Sequence, residues 1–399
     1  MKRFISILSI VLITLTITSC FSKNENKETK NEKTSVDIFG YSSFTDNSMI
    51  YINNRILHFL DTNSKQDTVV CNKPQCKHLY PSREELETNS INCDGYVGDS
   101  YGFVLYNDYL YYISNTDSIL TKEFYRCNKD GSNKKLLATI ENVPELIFFY
   151  LQDDHMFISY REDCDEHGKE LDKTESGIIN LDLKEEKAEK IPLKNDYSSI
   201  VSNIHYYNDK IYFSYNYSTK KIEEEELPDI ESPDYEPAIL KFMKNEIYCY
   251  DPKTKKVNKI LDLKKHSEIF FGENYFAICD RDGTIKYLNL DDNEIKTIDG
   301  KYKDCSVIFY DNNLIIIDYK NLNMKKYSIK DKKIIENIKM EDNNFTVPPC
   351  FTDNYAYYLC HDSDDEYYDG RISKEDFFKG KTKKVELLNK TSSQLIKGV

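Results

Sequence analysis

One stretch of this chain repeats, and that constrains its fold more than any other feature. Leu105–Leu137, LYNDYLYYISNTDSILTKEFYRCNKDGSNKKLL, reads as a strand, a loop, a second strand, a tight turn and a third strand. Looser copies recur down the chain. One begins at Phe44–Tyr51, continues through Arg55–Leu60, turns at Asp61–Lys65 and ends in a strand at Asp67–Val70. Another opens at Gln152–Ile158 and closes with Gly177–Leu193; the next opens at Tyr207–Phe213 and closes with Glu246–Leu261. Phe271–Ile298 and Phe309–Ile338 are compact copies, and Phe351–Cys360 with Lys381–Leu387 makes the last. In each, an Asp- or Asn-bearing turn precedes an apolar, often Tyr-rich strand.

Alternate residues of a strand face opposite ways, and Leu110–Ile113 and Ile211–Tyr215 carry large apolar or Tyr groups on both faces. Such a sheet must be sandwiched between neighbours. Asp130-Gly131 and Asp282-Gly283 are hairpin signals, because Gly accepts positive φ; Asp251-Pro252 and Asp292-Asn293 are turn formers. No stretch sustains an apolar period of 3.6, so very little helix is expected. Seven copies at a mean of about 50 residues fall in the propeller range and above leucine-rich and ankyrin periods. The expected fold class is therefore all-β, a seven-bladed β-propeller, with six or eight blades as the alternatives. Val36–Phe39 is expected to add a strand to the seventh blade.

The first twenty residues, MKRFISILSIVLITLTITSC, carry Lys2 and Arg3, then an apolar run too short for an ordinary membrane span. Ile17-Thr18-Ser19-Cys20 resembles the bacterial lipobox. That resemblance implies cleavage before Cys20 and lipidation of its thiol, palmitate included. The alternative is an ordinary secretory signal with a chance cysteine. Residues 21–35 are almost all polar or charged, too poor in apolar surface to offset chain entropy. The expected organisation is a signal peptide at 1–20, a disordered tether at 21–35 and the propeller at 36–399.

With 68 acidic against 54 basic residues the formal net charge is −14. Phosphate contacts need clustered Lys and Arg, so a nucleic-acid partner is not expected. There is no Gly-x-Ser-x-Gly, His-Glu-x-x-His or Gly-x-Gly-x-x-Gly, and Gly380-Lys381-Thr382 lacks the upstream glycine of a phosphate loop and reads as a hairpin turn.

The Asp/Asn-led Tyr strands and the turn Asn128–Leu136 resemble the propeller repeats of TolB-like proteins and of an uncharacterised repeat domain of Gram-positive, clostridial-type lipoproteins. The resemblance covers about Thr45–Leu388. It implies a monomeric lipoprotein on the extracellular face of the cell membrane. It also implies a binding or scaffold role in the cell envelope, with a protein, peptide or carbohydrate as ligand. The alternative is a hydrolase or lyase whose carboxylates line the central funnel. Two or more carboxylates close together in a central pocket would favour that enzyme; a pocket of Tyr and Lys would favour binding.

One local motif stands apart: Cys71-x4-Cys76-x-His78, followed by Cys93. Three sulfurs and an imidazole are the ligand set of a closed tetrahedral zinc site, and Pro74 stiffens the turn between the first two. Cys-x4-Cys is a wide spacing for such a site. A disulfide from Cys71 or Cys76 to Cys93 is the rival reading in an oxidising exterior, and free thiols are the third. The element looks like one that recurs in clostridial-type lipoprotein propellers. Of the remaining cysteines, Cys127, Cys164, Cys249, Cys279, Cys305, Cys350 and Cys360, most read as small core residues. Asp362, Asp364, Asp365, Glu366 and Asp369 read as a solvated acidic loop; the alternative is Ca²⁺ binding, for which the cluster is dense enough although its spacing is not that of an EF-hand. Structural zinc and calcium are thus the only cofactors in view. The acidic stretch from Glu223 to Glu236, broken by Pro228, Pro233 and Pro237, reads as a long exposed loop. His155, His167 and His205 read as structural.

Overall fold

The fold was derived from a computed structural model, which describes residues 35–36, 42–53, 55–79, 82, 84–85, 92–97, 102–115, 120–164, 169–222, 227–229, 232–264, 267–342, 350–361 and 367–390. All of them belong to one compact unit, Lys33–Val399. Cys20, His167, Asp362, Asp364, Asp365 and Glu366 lie outside the described residues.

The chain is all-β, a succession of antiparallel four-stranded meanders whose strands we call A to D in order. Unit one comprises Ser42–Phe44, Ser48–Asn53, Ile56–Asp61 and Asp67–Val69. Unit two comprises Phe103–Tyr106, Tyr109–Asn115, Lys122–Asn128 and Lys135–Ile140. Unit three is Glu145–Gln152, His155–Cys164, Glu170–Asp182 and the first part of Lys187–Tyr207. The rest of that long strand is strand A of unit four, followed by Lys210–Ser218, Met243–Asp251 and Lys256–Leu263. The handover falls between Asp196, paired with Thr174, and Tyr197, paired with Ser218. Units five and six run Glu268–Thr297 and Ser306–Lys339. Unit seven is Cys350–Phe351, Tyr355–His361, Tyr367–Ser373 and Glu386–Lys390.

Apolar clusters show how the units stack. Val104, Phe124, Phe149 and Ile179 join units two and three; Phe157, Ile178, Phe213 and Tyr248 join three and four. The pattern continues around the chain, and Phe44, Met49, Leu60 and Tyr357 join unit seven to unit one. The sheets therefore close on themselves, as sheets that are apolar on both faces require. Strand A of unit one lies against strand A of unit two, and likewise for units four and five and for five and six, so the A strands line the centre.

The turns explain the repeat. Asn107-Asp108, Asn208-Asp209 and Asp311-Asn312 each hold positive φ at both positions, the two-residue hairpin in which Asn and Asp are tolerated. At the C-to-D turns a leading Asp caps its own loop. Asp61 Oδ1 accepts from the amides of Asn63 and Ser64, Asp182 Oδ1 from Lys184 and Glu185, and Asp251 Oδ1 from Lys253 and Thr254.

Three expectations need correction. Of Val36–Phe39 only Val36 is among the described residues; with Ser35 it pairs with Ser43–Phe44 of unit one rather than with a strand of unit seven, and it also touches the A strands of units three and seven. Gly380 is no hairpin turn. It follows the helix Lys374–Phe378 with φ of 73°, the left-handed position that ends helices. The loop of unit four contains a second short helix, Tyr235–Leu240, which accommodates Pro237 because a first-turn residue needs no amide donor. No helix of the described residues is long and apolar enough to cross a membrane.

Candidate metal centre

The Cys71–Cys93 segment is an excursion from the outer edge of unit one. Strand D reaches Val69, and Val70 still donates to the Leu57 carbonyl at 2.9 Å. The chain then leaves the sheet. It returns at Gly95–Val97, where the Leu57 amide donates to Gly95 O at 2.8 Å, the Val97 amide donates to Arg55 O at 3.0 Å and Tyr96 bridges to Ile56. Exit and return thus share a few residues of strand C. They cross closely: a Cβ on Gly95 would stand 2.9 Å from Val70 O. The Asp130-Gly131 turn of unit two presses on the same spot. Gly131 has φ of 82°, and a Cβ there would lie 2.5 Å from Val70 O. Asn72 adds a hydrogen bond to Asp130. Val70 and Val97, flanking the excursion, are 1% and 2% exposed in the apolar cluster shared by units one and two.

Inside this frame Cys71, Cys76, His78 and Cys93 converge. One ligand atom from each lies within 4.8 Å of all the others. A tetrahedron with Zn–S bonds of about 2.3 Å has edges of about 3.8 Å, so the set is near metal-binding size. Cys93 Sγ stands 4.0 Å from His78 Nδ1, and the His78 amide donates to Cys76 Sγ at 3.4 Å. His78 adopts φ of 53°, a left-handed backbone that turns its ring back toward the sulfurs. Lys73 pairs with Asp94 at 2.8 Å and donates to Asn92 O at 3.0 Å, tying the outgoing limb to the returning one.

Cys71 differs electrostatically from the buried core thiols. Burial opposes ionisation of Cys71. The backbone amides of Lys73 and Asp94, with hydrogen bonds from Cys76 and Cys93, outweigh it and hold this thiol below its ordinary value. Burial, together with the adjoining Cys76, pushes the Cys93 thiol up to about 12. Elsewhere Cys127, Cys249 and Cys360 are buried strand residues, and burial pushes Cys127 and Cys360 up to about 12. These three are core thiols, as the sequence suggests.

Asp369 lies within strand C of unit seven, opposite Leu359. His155 is hydrogen-bonded to Asn180 and stacked on Phe157, and His205 is buried against Phe271.

Sequence reasoning missed a cleft of about 400 Å³ between units five and six, at the A-to-B and C-to-D turns. Tyr275, Tyr287, Asn289, Glu294, Lys296 and Lys330 line it, and its carboxylate, Glu294, is paired with Lys296. Each of these residues belongs to the regular repeat, which is why none stood out.

No family model matches the chain, and no curated protein does. Solved structures do, at low identity. An acylaminoacyl peptidase bound to Z-Gly-Gly-Phe-chloromethyl ketone aligns at 10% identity and TM-score 0.50, over 90% of this chain and 54% of that one. Dipeptidyl peptidase 4 of Porphyromonas gingivalis aligns at 10% identity and TM-score 0.49, over 86% of this chain and 51% of that one. The β-propeller domain of the Trilobed protease of Pyrococcus furiosus aligns at 11% and TM-score 0.46, over 91% and 97%. At such identities the likeness concerns the fold alone: this chain is a β-propeller.

Proposed function

We propose that the protein is a seven-bladed propeller, lipid-anchored through Cys20 on the outer face of the cell membrane, acting as a binding or scaffold module for a protein, peptide or carbohydrate. The cleft between units five and six carries this reading. It offers the half-buried ring of Tyr275, backed by the buried Tyr287, beside the polar ends of Asn289, Lys296 and Lys330, with one ion-paired carboxylate among its described residues. Aromatic walls with a few polar groups bind polar oligomers by stacking and hydrogen bonds.

Support for the location comes from the sequence of Met1–Cys20 and the polar residues that follow. Incorporation of labelled palmitate, abolished by Cys20→Ala, tests the anchor. Glycan and peptide arrays probed with the full chain test the binding role. Retention of a ligand by the parent and its loss in Tyr275→Ala with Lys296→Ala supports it. Turnover of an array component into shorter products would move the assignment to the hydrolase or lyase.

A further inference from the structure

We propose that Cys71, Cys76, His78 and Cys93 bind one Zn²⁺ ion, and that this ion fastens the excursion from unit one against unit two. The convergence of four donors carries the inference. A disulfide would need two sulfurs close together and gives no reason for a third sulfur and an imidazole to share the same 4.8 Å cluster. Three thiolates and one histidine, with no carboxylate among them, are soft donors that suit zinc and disfavour calcium or magnesium. The amide of His78 pointing at Cys76 Sγ is the kind of hydrogen bond that supports a ligating thiolate.

The four protein donors fill a tetrahedron, so no position is left for water or substrate. The ion is therefore structural. Its place is informative: Cys71 directly follows Val70, and Cys93 stands just before Gly95–Val97, the two limbs that cross on strand C. Closing the ring of ligands clamps Val70 and Val97 into the cluster with Leu57, Phe103 and Cys127. The ion thus reinforces the junction between the first two units.

The test uses the full chain, prepared under reducing conditions and given Zn²⁺ or Co²⁺ alone. One metal ion per chain is expected, with the visible absorption bands of tetrahedral, thiolate-bound cobalt, bleached by added zinc. Cys93→Ser and His78→Ala should each weaken retention by about tenfold or more, whereas Cys305→Ser should leave it unchanged. Should the ligand variants fold poorly, alkylation of the parent decides: zinc should shield Cys71, Cys76 and Cys93 and leave Cys305 as reactive as before. Absence of stoichiometric metal, full retention in both ligand variants, or a disulfide among Cys71, Cys76 and Cys93 in protein isolated separately without reductant would overturn the proposal.

Discussion

Thr352 donates its hydroxyl to the Asp46 carboxylate at 2.6 Å, linking residues 306 positions apart. The same carboxylate accepts the Asn354 amide at 2.9 Å and the Asn354 side chain. The Tyr357 hydroxyl reaches Thr45 O at 2.8 Å. These bonds cross from unit seven to unit one. Many rings close by sharing one sheet between the two ends of the chain. Among the described residues each end builds its own sheet, and side chains make the join. Asp46 is 9% exposed and Thr352 is fully buried, so removing the carboxylate leaves the Thr352 hydroxyl only the more distant Tyr355 O at 3.4 Å. Asp46→Ala is expected to cost about 2–4 kcal/mol, seen as a lower urea midpoint. Asp46→Asn, which keeps one acceptor oxygen, should lose clearly less.

Arg371 is the second half of that join. Its guanidinium donates to Glu386, to Asp46 O at 3.2 Å and to both oxygens of Thr62, and it lies over the Tyr355 ring. A planar fork of five N–H donors reaches acceptors spread across the seam, which the compact three-donor head of a lysine does not span. Arg371→Lys should therefore recover less than half of the stability lost in Arg371→Met, measured by thermal unfolding. A lysine that restored it fully would mean that charge alone holds the seam.

The sequence makes the repeat visible because its signals are local. Asn107-Asp108 and Asp130-Gly131 announce turns through backbone preferences that need no tertiary context. The Cys71–Cys93 motif was equally plain as residue types at a spacing. Its choice between zinc and disulfide was not, since that depends on whether His78 joins the sulfurs in space. The seam was invisible, because Asp46, Thr62 and Arg371 are ordinary polar residues until the ring brings its ends together. Lys187–Tyr207 was obscured for a related reason. The repeat closes one copy at Leu193 and opens the next at Tyr207, yet one strand runs through both and only changes partner at Asp196–Tyr197.

His205 supplies a pH dependence. Its ring is buried, stacked on Phe271 with centroids 4.9 Å apart and hydrogen-bonded to Glu273 O at 2.9 Å. Burial lowers its pKa from 6.5 to about 4, although Glu273 O and Asp153 favour the charged form. Between those values the unfolded chain binds a proton that the fold excludes. This contribution to stability is therefore complete above pH 6.5 and declines as pH falls toward 4. It reaches a loss of about 3 kcal/mol below both values. Denaturation midpoints followed from pH 7.5 to 4 should show this decline, and His205→Gln should flatten it. An unchanged slope in the variant would assign the acid sensitivity to other groups.

Metal removal should loosen the protein at one place. The Val70 and Val97 amides, bonded to Leu57 O and Arg55 O, lie at the two ends of the excursion. The Asn354 amide, bonded to Asp46, lies at the seam between units seven and one. If zinc clamps the excursion, chelation removes the constraint on both limbs but leaves the seam untouched. Hydrogen exchange at Val70 and Val97 should then rise by about tenfold or more, as local opening there becomes cheaper by more than about 1.4 kcal/mol. Exchange at Asn354 should not change. Equal acceleration at all three amides would mean that the ion supports the ring as a whole; no acceleration at Val70 or Val97 would mean that the apolar cluster holds the limbs without it.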